Sequence, residues 1–149
     1  MRQTFGNNFS DTVSSIPPTD DLTDDSAGAW KSWTVPDNEQ WLISSACVRY
    51  IASGVAGNRL FVIKVFKDNG EQLKHLVPAI VQTAGQDFRY CVEQGTYRET
   101  AVAQGVIHMP IPANLWLKGG YEIRFTDHNA VDLTGDHIQM ALQIERFVV

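Results

Sequence analysis

No stretch of this 149-residue chain approaches the run of about 20 apolar residues that a membrane-spanning helix requires. The opening segment, MRQTFGNNFSDTVSSIPPTDD, also lacks the apolar run of a secretory signal, so synthesis in a cytosol is expected. Basic residues are scarce: 12 Lys and Arg stand against 17 Asp and Glu, for a formal charge of −5. Nucleic-acid binding takes a basic face that displaces counterions from phosphates, and an anionic membrane surface asks for the same excess. Neither partner is expected. Cysteine is nearly absent. Cys47 and Cys91 sit in separate strand-like runs and not in a short-spaced pair, which predicts buried free thiols acting as small hydrophobes, with a disulfide or metal site as the lesser alternative.

Catalytic signatures are missing as well. There is no G-x-S-x-G elbow, no phosphate-cradling glycine loop, no H-E-x-x-H and no paired-cysteine motif. His75, His108, His128 and His137 are scattered, and none belongs to an H-x-H run followed by Glu of the kind a metal-binding jelly roll would need. A non-enzymatic protein without a cofactor is therefore expected. Also lacking is any window of ten or more residues with convincing 3.6 periodicity, which argues against a helical protein.

What the chain does have is alternation. With 44% hydrophobic residues it can build one sizeable core. The stretch Gln40 to Asp68 organises the rest. Phe61, Ile63 and Val65 alternate with Val62, Lys64 and Phe66, and both sets are largely apolar, which predicts a central strand covered on two sides. Before it, Leu42, Ala46, Val48, Tyr50 and Ala52 share one parity, and Trp41, Ile43, Cys47 and Ile51 the other. Ser53-Gly54-Val55-Ala56-Gly57-Asn58 between the two supplies turn chemistry. Further strands are read at Trp30 to Val35, at Leu73 to Val77 after the Asn69-Gly70 turn, at Phe88 to Glu93, and at Thr100 to Met109, interrupted by Gly105. The cleanest are Tyr121 to Thr126 and His137 to Glu145, each with one wet face. Residues 110–120, bracketed by Pro110-Ile111-Pro112 and Lys118-Gly119-Gly120, read as a loop. The expectation is an all-β chain: a two-sheet antiparallel β-sandwich of about eight strands, jelly-roll-like.

Residues 1–29 differ from this pattern. Asn, Ser, Thr, Asp, Pro and Gly dominate, Pro17-Pro18 blocks regular structure, and Asp20, Asp21, Asp24 and Asp25 concentrate negative charge. The segment is expected to be either a disordered leader or an extended N-terminal arm that orders against a neighbouring subunit through Phe5, Phe9, Val13, Ile16 and Leu22. The sandwich domain is placed at residues 30–149.

Two further sets of side chains are candidates for chemistry. Trp33, Trp41 and Trp116 could stack on a sugar, which would make the chain a carbohydrate-binding module, although such large side chains more often fill a core. The loop Asp127 to His137 gathers Asp127, Asp132 and Asp136 with His128 and His137. Oxygen-rich loops can hold calcium, but the spacing is not that of an EF-hand, and Asp and Asn are ordinary turn residues, so no metal is expected.

Several segments also resemble a known group. Thr34-Val35-Pro36 followed by Trp41-Leu42-Ile43, then Gly57-Asn58-Arg59 opening Leu60 to Val65, and later Ile111-Pro112 through Gly120-Tyr121-Glu122-Ile123-Arg124 look like small β-sandwich structural proteins of tailed bacteriophages. The resemblance covers about Thr34 to Asp127 and carries no catalytic residue. It implies a virion component of the capsid decoration or cement type, whose partner is the major capsid protein or another virion protein. It also fits a homo-oligomer, trimers being natural for jelly rolls at threefold positions. A tail-associated, receptor-binding sandwich is the alternative.

Overall fold

The computed structural model describes residues 15–78, 80–94, 100–102 and 105–149; for 15–21 and 100–102 it describes the backbone alone. Eleven strands follow in order: β1 (Ser15–Asp24), β2 (Trp30–Thr34), β3 (Glu39–Ile51), β4 (Phe61–Phe66), β5 (Gln72–Leu76), β6 (Asp87–Gln94), β7 (Thr100–Val102), β8 (Val106–Ile111), β9 (Trp116–Lys118), β10 (Glu122–Asp127) and β11 (His137–Val148). One sheet has the order β1-β11-β3-β6-β8-β7, with β9 also paired to β3; the other has the order β2-β10-β4-β5. Setting β7, β8 and β9 aside leaves β1-β11-β3-β6 over β2-β10-β4-β5, the paired Greek keys of a jelly roll. The all-β sandwich expected from the sequence is the fold observed, with eleven strands among the described residues rather than about eight.

This connectivity sends the chain from one sheet to the other at each of the β1–β2, β3–β4, β5–β6 and β10–β11 connections. The register puts all four at the same end: Thr126 pairs with Trp30, Asp127 with Phe61, Ile51 with both Asp87 and His137. Between the sheets lie Ile43, Val48, Tyr50, Tyr90, Ile138 and Leu142 from the larger one and Phe61, Ile63, Val65, Ile123 and Phe125 from the smaller, all within 2% of complete burial. The Phe61 ring sits 4.4 Å from Tyr90 and 6.5 Å from Phe125, and Trp33 meets Phe125 edge-on at 5.9 Å. Each such side chain stabilises the fold by about 1.5–3 kcal/mol through the surface it removes from water.

Within β3 the parity read from the sequence breaks. Gln143 of β11 faces Ser45, but the next residue, Ile144, faces Ile43, which leaves Ser44 as the extra residue of a β-bulge. The inward row therefore changes from Trp41 and Ile43 to Ala46, Val48, Tyr50 and Ala52. The bulge turns Cys47 outward. The expectation of two buried thiols is corrected accordingly: both cysteines are free, but Cys47 is exposed and Cys91 half-buried, on the outer face.

Part of the expected N-terminal arm lies against its own chain. Ser15–Asp24 forms β1 and pairs antiparallel with β11, with a register shift between Ile16 and Asp20 where Pro17-Pro18 interrupts the ladder. Proline has no N–H to give, so it is tolerated because β1 is an edge strand. The interrupted run at Thr100 to Met109 resolves into β7 and β8, a hairpin turning near Gly105 (φ 76°), and β8 then runs parallel to β6. The stretch read as a loop, 110–120, contains β9, whose Trp41–Leu117 pairing extends β3 on its far side.

Candidate functional site

The four connections at one end of the sandwich form the most distinctive part of the molecule. They are held by charged side chains that have been drawn out of water. Arg59, in the β3–β4 connection, has no exposed surface, and neither does Asp136, which ends the β10–β11 connection. The Arg59 Nε donates to Asp136 Oδ2 at 3.0 Å and Nη2 donates to Oδ1 at 3.1 Å, a forked pairing that suits a planar guanidinium. The other N–H groups of Arg59 reach the Val55 and Gly57 carbonyls, both at 2.8 Å, and the Ser53 hydroxyl at 3.2 Å. All five donors of the guanidinium are thus engaged.

Asp136 is equally occupied. It accepts from the Tyr50 hydroxyl at 2.8 Å and from the Ser53 N–H at 2.7 Å. Burial pushes its carboxyl upward, but the hydrogen bonds from Arg59, Ser53 and Tyr50 together outweigh that and hold it below the usual carboxylate range. Tyr50 moves the other way: burial, then its bond to the Asp136 carboxylate, raise its phenol well above the ordinary value. Ser53 extends the network to Asp132 through its hydroxyl at 2.7 Å, and that bond with the Gly135 N–H lowers the Asp132 carboxyl. Gln82, in the β5–β6 connection, pairs its backbone with Arg59 in both directions at 2.7 and 2.9 Å. Its side-chain amide donates to the Tyr50 carbonyl at 2.7 Å. Asp127 receives the Leu60 and Asn129 N–H groups on one oxygen and the Val131 N–H on the other.

The fourth connection has its own buried cation. Lys31 of β2 is 1% exposed, and its Nζ donates to Asp24 at 3.0 Å and to the Ser26 hydroxyl at 2.6 Å. The Ser26 hydroxyl, with help from Lys31, holds the Asp24 carboxyl at about 2. On this braced framework sit three exposed apolar tips: Val55 at 49%, Val81 at 45% and Leu133 at 38%. They lie in the β3–β4, β5–β6 and β10–β11 connections. Loops pinned by a rigid scaffold and carrying exposed apolar groups are the arrangement used to contact a partner.

The residues singled out in the sequence are distributed as follows. Phe5, Phe9 and Val13 lie outside the described residues. Ile16 is in β1, opposite Arg146, and Leu22 packs partly buried against the core. Trp41 is 3% exposed with its Nε1 donating to Glu39 at 2.7 Å, which closes it to a stacking ligand, and Trp33 is partly buried and meets Phe125 edge-on. Trp116 is 42% exposed and leans on Phe147 at 5.1 Å. Asp127, Asp132 and Asp136 do share one loop end, but their oxygens face protein donors, and among the described residues no three His, Cys, Asp or Glu side chains are grouped to hold a metal ion. Of the histidines, His75 and His128 face each other at 5.5 Å, and His137 Nε2 meets the Asp25 carbonyl at 2.9 Å. Sequence reasoning missed Arg59, Lys31 and Gln82 as buried polar groups. Only an arginine directly before the four-residue apolar run Leu60-Phe61-Val62-Ile63 hinted at one of them.

Comparison with known proteins gives a sparse result. No family model matches the chain, and no curated protein does. Among solved structures, a chain of infectious bursal disease virus, Gx strain, aligns over 91% of this protein at 15% identity with a TM-score of 0.34. A chain of the Gt strain aligns over the same share at 14% identity with a TM-score of 0.31. This chain spans about a third of the length of those two, 32% in each case.

Proposed function

We propose that the chain is a non-enzymatic virion structural protein, of the capsid decoration or cement type, that binds and stabilises a shell through the loop end of its jelly roll. The observation that carries this reading is the braced end itself. Buried Arg59 ties together the three connections whose outward tips, Val55, Val81 and Leu133, are apolar and open, and buried Lys31 pins the adjoining β1–β2 connection. A rigid, preorganised contact surface loses little entropy on docking, and copies repeated on a symmetric lattice multiply a weak contact. The partner in this reading is the major capsid protein or another virion protein, and the chain acts as a homo-oligomer, with a trimer at threefold positions as the natural arrangement.

Co-sedimentation of the full chain with empty shells of a tailed phage that carries it tests this. The unmodified chain is expected to pellet with the shells, and Val55→Asp with Leu133→Asp to weaken binding at least tenfold. Failure of the unmodified chain to pellet would overturn the proposal. A second reading, a carbohydrate-binding or tail-associated receptor-binding sandwich, draws on the exposed ring of Trp116 beside Phe147. A glycan array that binds the chain and loses the signal with Trp116→Ala would favour it.

A further inference from the structure

On the outer face of the larger sheet, Cys47 of β3 and Cys91 of β6 are direct cross-strand partners. The ladder fixes what kind of pair they are. The Ala52 N–H donates to the Gln86 carbonyl at 2.8 Å, so hydrogen-bonded pairs follow at Tyr50–Phe88 and Val48–Tyr90. Ile51–Asp87, Arg49–Arg89 and Cys47–Cys91 are the non-hydrogen-bonded pairs between and beyond them. In such pairs the Cα atoms stand about 4.5 Å apart with both side chains on one face, inside the roughly 4.4–6.8 Å range that a disulfide spans. Both thiols are free and border a shallow groove of about 430 Å³ that Arg49, Arg89, Gln139 and Ala141 also line.

We propose that Cys47 and Cys91 are a reversible redox pair, closed to an intrachain disulfide by a small-molecule disulfide such as oxidised glutathione. The Cys47 thiolate, the more exposed of the two, attacks one sulfur of the small disulfide and releases the first small thiol. The Cys91 thiolate then attacks the Cys47 sulfur of the mixed disulfide, expelling the second. The two protons lost by the cysteines end on the two released thiols, so one dithiol and one disulfide become one disulfide and two thiols. Burial, with Cys47 and Glu93 nearby, raises the Cys91 thiol and Arg89 only partly opposes this, so Cys91 acts second, as the resolving thiol held beside the mixed disulfide by the strand register. The bond staples β3 to β6 in the middle of the larger sheet, so the protein stays supple where thiols are kept reduced and stiffens in an oxidising medium.

The test treats the reduced full chain with oxidised glutathione. The expected product is a monomer lighter by two hydrogens, with no titratable thiol, whose Cys47 and Cys91 peptides stay joined until a reductant is added. Its Tm is expected to rise by about 5–10 °C. Cys47→Ser and Cys91→Ser should each stop at one mixed disulfide with glutathione, the Cys47 thiol of the second variant reacting faster. A chain that keeps both thiols, one that carries two stable glutathione adducts, or one that forms only interchain dimers would overturn the proposal, as would a cross-linked monomer whose Tm does not rise.

Discussion

Arg59 and Asp136, 77 residues apart in sequence, meet through two hydrogen bonds with neither side chain exposed to solvent. The pair closes the β3–β4 connection onto the β10–β11 connection, and Tyr50 and Ser53 complete the coordination of the carboxylate. Removing one charge from such a pair leaves the other buried and uncompensated. Asp136→Leu and Arg59→Met are each expected to destabilise the protein by about 3–5 kcal/mol, whereas the double replacement Arg59→Met with Asp136→Leu should lose clearly less than the sum of the two, because no lone charge stays buried. Urea unfolding of the three variants checks this. A double variant that loses the sum of the single losses would show that the hydrogen bonds outside the pair dominate.

Acid should undo the same end of the molecule. The carboxyls of Asp136 and Asp24 are held below their ordinary values in the folded chain, Asp24 at about 2 against 3.8. A group whose pKa is lower when folded binds its proton more tightly when unfolded. Its contribution is therefore complete above the unfolded value and is lost as the pH falls from that value toward the folded one. Melting temperatures measured between about pH 6 and pH 2 should fall most steeply below about pH 4. Asp136→Asn, which has no proton to take up there, should show a shallower fall. The effect of Asp24→Asn should be smaller, since the Asp24 side chain is 35% exposed and solvent screens it.

The turn at the opposite end tolerates less than its sequence suggests. A Cβ on Gly119 would come within 2.5 Å of the Asp37 carbonyl oxygen and 2.8 Å of its Cα, backbone atoms that have no rotamer to yield. Gly119→Ala is expected to cost about 1–3 kcal/mol through overpacking. Gly54→Ala, with nothing within 4 Å of the new atom, is the matched comparison and should change stability by no more than a few tenths of a kcal/mol. Equal losses in the two variants would place the cost in backbone freedom and not in the Asp37 contact.

Period-two alternation made the sandwich legible, because strands such as β4, β10 and β11 bury one face or both and their sequences must show it. The eight runs read from the chain all appear as strands, one of them split into β7 and β8. What escaped was set by contacts distant in sequence. β1, SIPPTDDLTD, has no alternation to betray it and is ordered by the long neighbour β11. β9 is three residues long and is defined by pairing with β3. The loop-end network was half visible: the carboxylates of Asp127, Asp132 and Asp136 stood out by clustering, but their partners Leu60, Arg59, Ser53 and Tyr50 lie 67 to 86 residues away.

Ser44 tests how far a single residue controls the sorting of side chains in β3. As the extra residue opposite Gln143 and Ile144, it allows Trp41 and Ile43 to point inward on one side of the bulge while Ala46, Val48 and Tyr50 point inward on the other. Deleting it leaves no register that buries both groups, since a shift of one residue moves every side chain to the opposite face. Keeping the longer row in place would expose Trp41 and Ile43, at about 1.5–3 kcal/mol each, and would break the bond from the Ile43 N–H to the Leu115 carbonyl. A deletion variant is therefore expected to lose about 3–6 kcal/mol or fail to fold. Ser44→Ala, which keeps the residue count, should remain within about 0.5 kcal/mol of the parent. Urea midpoints for the two, with near-ultraviolet dichroism of Trp41 and its neighbours as a second readout, separate a requirement for the extra residue from a requirement for its hydroxyl.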